Sequence, residues 1–531
     1  MKKLNNVETK NKIIDSKKPL LFLFFLVGLA LIIRLYYIPY QIPIDFDGID
    51  YFAYTVAINK EGYFPIGYLQ INFGWSTFLA PIFSIVNSNE MMELMNTQRI
   101  MSSIISVSTA IPIYFICKIF FKKNIAILGA ALFLFDPRII ENSIFGITDP
   151  LFIFFITLTI MFVFIKESKI FYLSFIFVAL AGFIRYEGLL LIIPILVSFF
   201  VRKNFEKLTI IKLGIGIILF ISIIIFINST AYENSDLDIT SPLFSGTTYI
   251  SNHVLSDNPD IGDKVFDVDA ENRTQLFASN AITTYLMYLG WIMIPILGLF
   301  IIPGVFLTKK KITKNKITFF IFLGVISLAS LYAYGRGIEE TRYLYPLIPI
   351  LILFACQFFN YVSNKWNIKK ITIIVISISI IFSIIFLEYD KKDYEYEEAI
   401  YDVSFFIVRN AEGVNDYQGG SLRTASLEYS WPELLPLDER MKMSKPVKKI
   451  QSNEYDTLAQ FLKNNENNEL THLVIPVNHK TPFLKEIFHN EINYPFLKNV
   501  YNSQENGFNN EIKIFEIDYE KFYEAEIENL R

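Results

Sequence analysis

Three carboxylates, Asp45, Asp47 and Asp50, crowd into the stretch DFDGIDYFAY. A carboxylate can take the proton of an attacking hydroxyl or hold a hard cation. Two more acids, Glu141 and Asp149, lie in ENSIFGITDPLF, and Arg99, Arg138, Arg185, Arg336 and Arg342 stand at or near the ends of apolar runs. Arginine's planar fork suits phosphate oxygens better than lysine's point charge, so Arg185 in AGFIRYEGLL and Arg342 in GRGIEETRYLYPLIP are candidate phosphate ligands. Each residue also has a plainer reading. Asp149 before Pro150 fits a helix N-cap, and Glu187 can pair with Arg185. Glu339 or Glu340 can pair with Arg342, which can otherwise snorkel to lipid headgroups. Arg99 reads as an interfacial anchor as readily as a ligand. The acidic loop can be a solvated entry to an amphipathic surface helix that Asp47 or Asp50 caps. Charge alone leaves these alternatives open.

The elements that must position these residues are apolar. The chain has 531 residues, 53% of them hydrophobic and 16% aromatic, with a mean hydropathy of +0.38, which points to a polytopic membrane protein. Cys117 and Cys356 fall inside apolar runs and read as small hydrophobes, while the four histidines are scattered. Neither a disulfide framework nor a thiolate or histidine metal site follows, and no nucleic-acid partner is expected. The run 19–38 is about 20 residues, the thickness of a hydrocarbon core, and shows no cleavage site. Runs at 100–121, 124–135, 150–165, 170–184, 188–201, 208–227, 281–307, 317–334, 343–362 and 371–387 bring the expectation to about 11 spans. Lysine and arginine clusters at 17–18, 122–123, 166–169, 202–207, 309–311 and 365–370 fall at alternate connections. By the positive-inside rule the N-terminus is cytoplasmic, and 39–98, 228–280 and the tail lie outside. Sequons at Asn228 and Asn272 agree with an outer loop.

The run 170–201 is too long for one perpendicular span, so it predicts two short helices turning at RYEG. FGWSTFLAPIFSIV, at 73–86, is short and proline-broken, which predicts a surface or re-entrant piece with Trp75 at the interface. The composition turns polar near Tyr389, and a helix near 455–464 with strands in THLVIPV and EIKIFEI predicts a small α/β domain. The expected architecture is therefore an all-α polytopic membrane domain, 1–388, followed by an extracytoplasmic α/β domain, 389–531.

The order of these motifs resembles the C-type glycosyltransferase superfamily, nearest to its protein O-mannosyltransferase and aminoarabinose-transferase-like members. An acidic motif follows the first helix; RIMSSIISVSTAIPIYFICKIFFKKNIAILGAALFLFDP, ENSIFGITDPLF, FIRYEGLLLIIP and TRYLYPLIPIL come after it in sequence. The likeness covers about 19–354 and, loosely, the tail. In that family an acid pair in the first outer loop is commonly followed by Tyr four positions after the first acid. Asp47 and Tyr51 keep the spacing, with Gly48 where the second acid is usual.

The resemblance implies a transferase moving a hexosyl or pentosyl group from a polyprenyl (dolichyl) phosphate to a hydroxyl acceptor on a protein, lipid or glycan, at the outer face and with inversion. It makes Asp47 the base and Arg185 and Arg342, with Arg99 as a third candidate, the phosphate ligands. Asp45, Asp50, Asp149 and Glu141 become supporting acids; Asp45, Asp47 and Asp149 are the candidate ligands if a divalent cation, Mg or Mn, is used. An oligosaccharyltransferase should carry a WWD-type motif in the tail, where only YSWPELL stands. A transporter or flippase should show mid-bilayer charges and internal repeats, and a sensor would leave the loop acids dispensable.

Overall fold

The computed structural model describes residues 2–44, 47–62, 64, 72–165, 170–202, 207–232, 238–255, 270–294, 296–308, 313–415, 422–430 and 447–529. They form two compact units. One comprises Met1–Ile38, Ile58–Ile85 and Thr97–Leu387; the other comprises Pro39–Ala57, Val86–Asn96 and Glu388–Arg531.

The first unit is helical. Among the described residues of the whole chain six helices are long and apolar enough to cross a membrane: Lys18–Tyr37, Met91–Phe120, Ile210–Ala231, Lys314–Gly335, Thr341–Val362 and Ile368–Asn410. The chain is a multi-pass membrane protein. The runs 124–135, 150–165, 170–184 and 188–201 form shorter apolar helices, so length and composition give six or seven spans and do not establish the expected eleven. The run 281–307 is not one straight span: Arg273–Met293 and Leu297–Leu307 meet at 113°. Pro295 lies between them in the sequence, and proline cannot continue the backbone ladder. The 170–201 run does divide: Leu173–Ile184 ends at Arg185, whose backbone is extended, and Ile192–Arg202 begins after a short 3-10 segment.

Close helix packing relies on small residues. A Cβ on Gly304 would stand 1.9 Å from the Phe354 carbonyl oxygen, so Leu297–Leu307 and Ile348–Val362 meet backbone to backbone there. Cys117 and Cys356 are buried free thiols, as their apolar settings predict. Trp75, by contrast, is not exposed as an interfacial anchor would be. It is fully buried in the helix Gly74–Val86 and its indole N–H donates to the Gly146 carbonyl at 3.0 Å, a better partner than intermittent water. Asn228 belongs to the helix Lys207–Ala231 rather than to a loop, and its side-chain oxygen accepts from the Ile239 N–H at 3.1 Å. Asn272 lies in the helix Ala270–Met293.

The second unit is built on a sheet of β1 (Gly413–Asn415), β2 (Lys448–Ile450), β3 (His472–Pro476), β4 (Leu497–Asn502) and β5 (Ile512–Ile517). Their order is β2-β1-β3-β5-β4, with β1 parallel to β2 and β3, and β5 antiparallel to β3 and β4. Side chains alternate across the sheet. Leu473, Ile475, Phe515 and Ile517 pack with Phe461, Leu462, Leu484 and Phe522, whereas Val474, Ile512 and Ile514 pack with Val403, Ile407, Leu422 and Ala425. Helices thus cover both faces, and the expected α/β tail is present. The helix foreseen at 455–464 spans Leu458–Asn465.

Candidate functional site

In the first unit, Arg185 and Arg342 line one pocket with Glu187, Tyr343, Phe152, Ile156, Leu191, Val325, Ile326, Ala329 and Pro346. The pocket is a narrow slot, with about 20 Å³ of water-sized space, two charged forks and otherwise largely apolar walls. Arg185 is delivered by the break between the short helices. Its carbonyl accepts from the Gly188 N–H at 2.8 Å, closing the turn. Glycine is required at 188 because a Cβ would stand 2.5 Å from the Ala181 carbonyl carbon.

The guanidinium of Arg185 is tightly held. Nη1 donates to Asp149 Oδ1 at 2.7 Å, Nη2 reaches Glu187 Oε1 at 3.4 Å, and the Tyr343 and Phe152 rings lie 5.2 and 5.6 Å from its centre. Asp149 is fully buried. It is the first residue of the helix Asp149–Phe164 and makes no capping bond, contrary to the N-cap reading. A bond to Arg185 has both partners charged, whereas at an N-cap only the carboxylate would be. Asp149 Oδ2 and Glu187 Oε2 are buried acceptors with no hydrogen-bond partner among the described residues. Arg342, in the 3-10 segment Thr341–Leu347, pairs through Nε with Glu340 Oε2, one of the local partners the sequence offered.

Other candidates lie elsewhere. The helix carrying Arg99 starts at Met91, so Arg99 is inside it and buried, not at its opening, and it does not line the slot. Glu141, half-buried in the helix Pro137–Ile144, does not line it either. Arg138 lies 4.9 Å from the Trp291 ring centre, and Arg336 lies 4.5 Å from that of Tyr249, so each has an aromatic neighbour that accounts for its place.

In the second unit, Asp47 opens the helix Asp47–Glu61, and Asp50 shares its first turn, where the helix dipole favours anions. Asp45 lies outside the described residues. Residues 51–57 of this helix are all buried, so it is packed on every side and is not the amphipathic surface helix that the sequence suggested. Asp50 forms an ion pair with Arg423 from the helix Leu422–Ser430. Burial pushes its carboxyl above the ordinary range; Arg423 pulls it down and the charge of Asp47 pushes it up. Among the described residues no three His, Cys, Asp or Glu gather to hold a metal. Asp149, one of the candidate ligands, has its shorter contact committed to Arg185.

Residues 78–230 match the dolichyl-phosphate-mannose-protein mannosyltransferase family. The resemblance read from the sequence is borne out in this segment. It contains Arg99, Glu141, Asp149 and Arg185 but neither Asp47 nor Arg342. Among curated proteins none matches. Solved structures similar to this chain include ArnT from Cupriavidus metallidurans bound to undecaprenyl phosphate, at 9% identity and TM-score 0.48, covering 93% of this chain and 98% of that one. The Archaeoglobus fulgidus oligosaccharyltransferase in the apo form gives 9% identity and TM-score 0.48 over 87% of this chain and 70% of its own. The archaeal oligosaccharyltransferase AglB from the same organism, in complex with an inhibitory peptide and a dolichol-phosphate, gives 8% and 0.43 over 86% and 69%. At such scores and identities the likeness decides nothing about this chain's chemistry.

Two groups escaped the sequence reading. Arg34 is fully buried within the first long helix and donates to the Ser143 hydroxyl at 3.0 Å, the Ala30 and Leu134 carbonyls at 3.1 Å each and the Ser106 hydroxyl at 3.3 Å. An arginine in an otherwise apolar span was the available signal. Arg423 lies in a polar segment where nothing in LRTASLEYS distinguishes it. YSWPELL falls largely outside the described residues.

Proposed function

We propose that this chain is a membrane glycosyltransferase that moves a sugar from a polyprenyl phosphate, such as dolichyl phosphate, to a hydroxyl acceptor. The observation that carries this reading is the slot that Arg185 and Arg342 line together with apolar side chains. A lipid phosphate offers an anion for the forks and a hydrocarbon chain for the walls. The family match over 78–230 supports the same class. In the reaction the acceptor oxygen attacks C1, the bond from C1 to the phosphate oxygen breaks, and polyprenyl phosphate leaves as the anion. Asp47 takes the acceptor's proton, and attack opposite the leaving group inverts C1. Arg185 and Arg342 stabilise the charge on the departing phosphate, and Asp149 holds Arg185 in place. Arg99 and Glu141 stay outside this mechanism.

In this reading 1–388 is the membrane domain and 389–531 an extracytoplasmic domain, with the N-terminus cytoplasmic and the chemistry on the outer face. The acceptor is a protein, lipid or glycan hydroxyl. The test supplies radiolabelled polyprenyl-phosphate hexoses and pentoses to membranes carrying the wild-type chain or Asp47→Asn. Transfer that the variant loses supports the reading. Transfer equal in the two removes Asp47 as base, and no transfer from any donor, with lipid-linked label crossing the bilayer instead, would establish a flippase.

A further inference from the structure

The segment bearing Asp47 is gripped from the C-terminal part of the sequence. Arg423 pairs with Asp50 on one side of Asp47, and the hydroxyl of the next residue, Thr424, donates to the Ile44 carbonyl at 3.3 Å on the other. The helix bearing both, Leu422–Ser430, is itself seated on the sheet: Leu422 and Ala425 pack with Val403, Ile407 and Val474. A second hold comes from the helix Met91–Ser108, where Met95 Sδ accepts from the Ile44 N–H at 3.4 Å and Asn96 Nδ2 donates to the Tyr40 carbonyl at 2.9 Å. Consecutive residues thus reach both flanks of the acid-bearing turn, which a random surface ion pair would not do.

We infer that Arg423 is a positioning residue: by clamping Asp50 it fixes the turn that carries Asp47 and sets the place of the base. This inference rests on the function proposed above. Asp47 and Asp50 are three positions apart on one helical face, where like charges repel. A cation on Asp50 offsets that repulsion and keeps the turn in one conformation. Arg423 is half-exposed, with its side chain 50% accessible, so solvent screens its field and its effect runs mainly through geometry. Lysine at the same place keeps the charge but lacks the fork, so it should restore only part of the effect.

The experiment measures donor KM and kcat for the full-length protein in membranes, with Arg423→Ala, Arg423→Lys, Asp50→Asn and the Arg423→Ala/Asp50→Asn double variant. Lys448→Ala, which breaks the exposed pair with Glu469, serves as a control. Gel filtration after detergent extraction reports folding. Arg423→Ala should lower kcat roughly 10- to 100-fold, the cost of a misplaced catalytic group, with donor KM changed less than about twofold. Arg423→Lys should recover part of the loss, and the double variant should be no worse than the worse single. If Arg423→Ala does not fold, a kcat for Arg423→Lys equal to wild type overturns the inference and a reduced one supports it. Wild-type transfer that Arg423→Ala leaves unaltered overturns this inference alone, as does a rise in donor KM at constant kcat. Failure of the wild-type chain to transfer from any donor overturns the proposed function and this inference with it.

Discussion

Replacing Asp149 with asparagine keeps the size of the side chain and removes its charge. In the native slot Asp149 Oδ1 accepts from Arg185 Nη1 at 2.7 Å with no solvent access, while Glu187 holds the same guanidinium only at 3.4 Å. A hydrogen bond between charged groups contributes about 1.5–3 kcal/mol, and an amide in the carboxylate's place forfeits much of it. Removing a competing anion could instead raise the affinity for phosphate. The nearby Glu187 decides against that: its carboxylate is within reach of the released fork, and a shorter pair between the two withdraws Arg185 from the slot. If positioning of Arg185 carries donor binding, the donor kcat/KM should fall roughly 10- to 150-fold. Adding Glu187→Gln should return part of it, since the released arginine then has no carboxylate to turn to. Initial rates against donor concentration in membranes, normalised to folded protein by gel filtration, give the answer. A wild-type kcat/KM in Asp149→Asn, or a double variant worse than the single, would refute the claim that Asp149 holds Arg185 for the donor.

Arg342→Ala should raise donor KM about 10-fold or more, since it removes one of the slot's two forks, and an unchanged KM removes Arg342 from the phosphate site. Gly304→Ala must push its Cβ into the Phe354 carbonyl, so detergent-extracted protein should show a lower melting temperature, at a cost of about 1–3 kcal/mol. Trp75→Phe should cost only about 1 kcal/mol in thermal stability, because the Gly146 carbonyl still accepts from Gln98 Nε2 at 2.7 Å. Asp238 accepts from the hydroxyls and N–H groups of Thr240 and Ser241, and these bonds hold its carboxyl below the ordinary range. That contribution is present above the unfolded value and is lost as pH falls through the folded one. Asp238→Ala should therefore make the 241–254 segment easier to cut by protease at neutral pH, with the difference disappearing well below about pH 3.9.

The membrane character, the break at RYEG and the α/β tail were legible because each depends on a local pattern: apolar run length, a run too long for one span, and alternating strands. Arg185 and Arg342 could be nominated together because an arginine at the end of an apolar run needs an anion to explain it. Their meeting in one site was expected from that shared need and from the family resemblance and not from a local pattern, since the slot is made by segments more than 150 positions apart in sequence. Asp149 shows the limit most clearly. Asp-Pro before an apolar run is a good local cap, but a partly buried arginine from the break between two other helices is a stronger partner, and no local rule anticipates it. Trp75 was misplaced for a similar reason: an amphipathic ring suits an interface until a carbonyl inside the protein offers its N–H a partner. The partner of Asp50 was out of reach altogether, because Arg423 lies in an unremarkable polar helix.

The pairing of Asp50 with Arg423 also sets a clock. The two residues are 373 positions apart, so a ribosome adding about 5–20 residues per second reaches Arg423 roughly 20 to 75 s after Asp50. Throughout that interval the acidic turn exists without its clamp, and the slot-forming segments, as far as Pro346, are completed before its end. On the mechanism proposed above, a chain interrupted in translation between Pro346 and residue 423 would carry both phosphate ligands, Arg185 and Arg342, yet lack a fixed base. On that proposal, late synthesis of the clamp separates the onset of donor binding from the onset of chemistry within a single polypeptide.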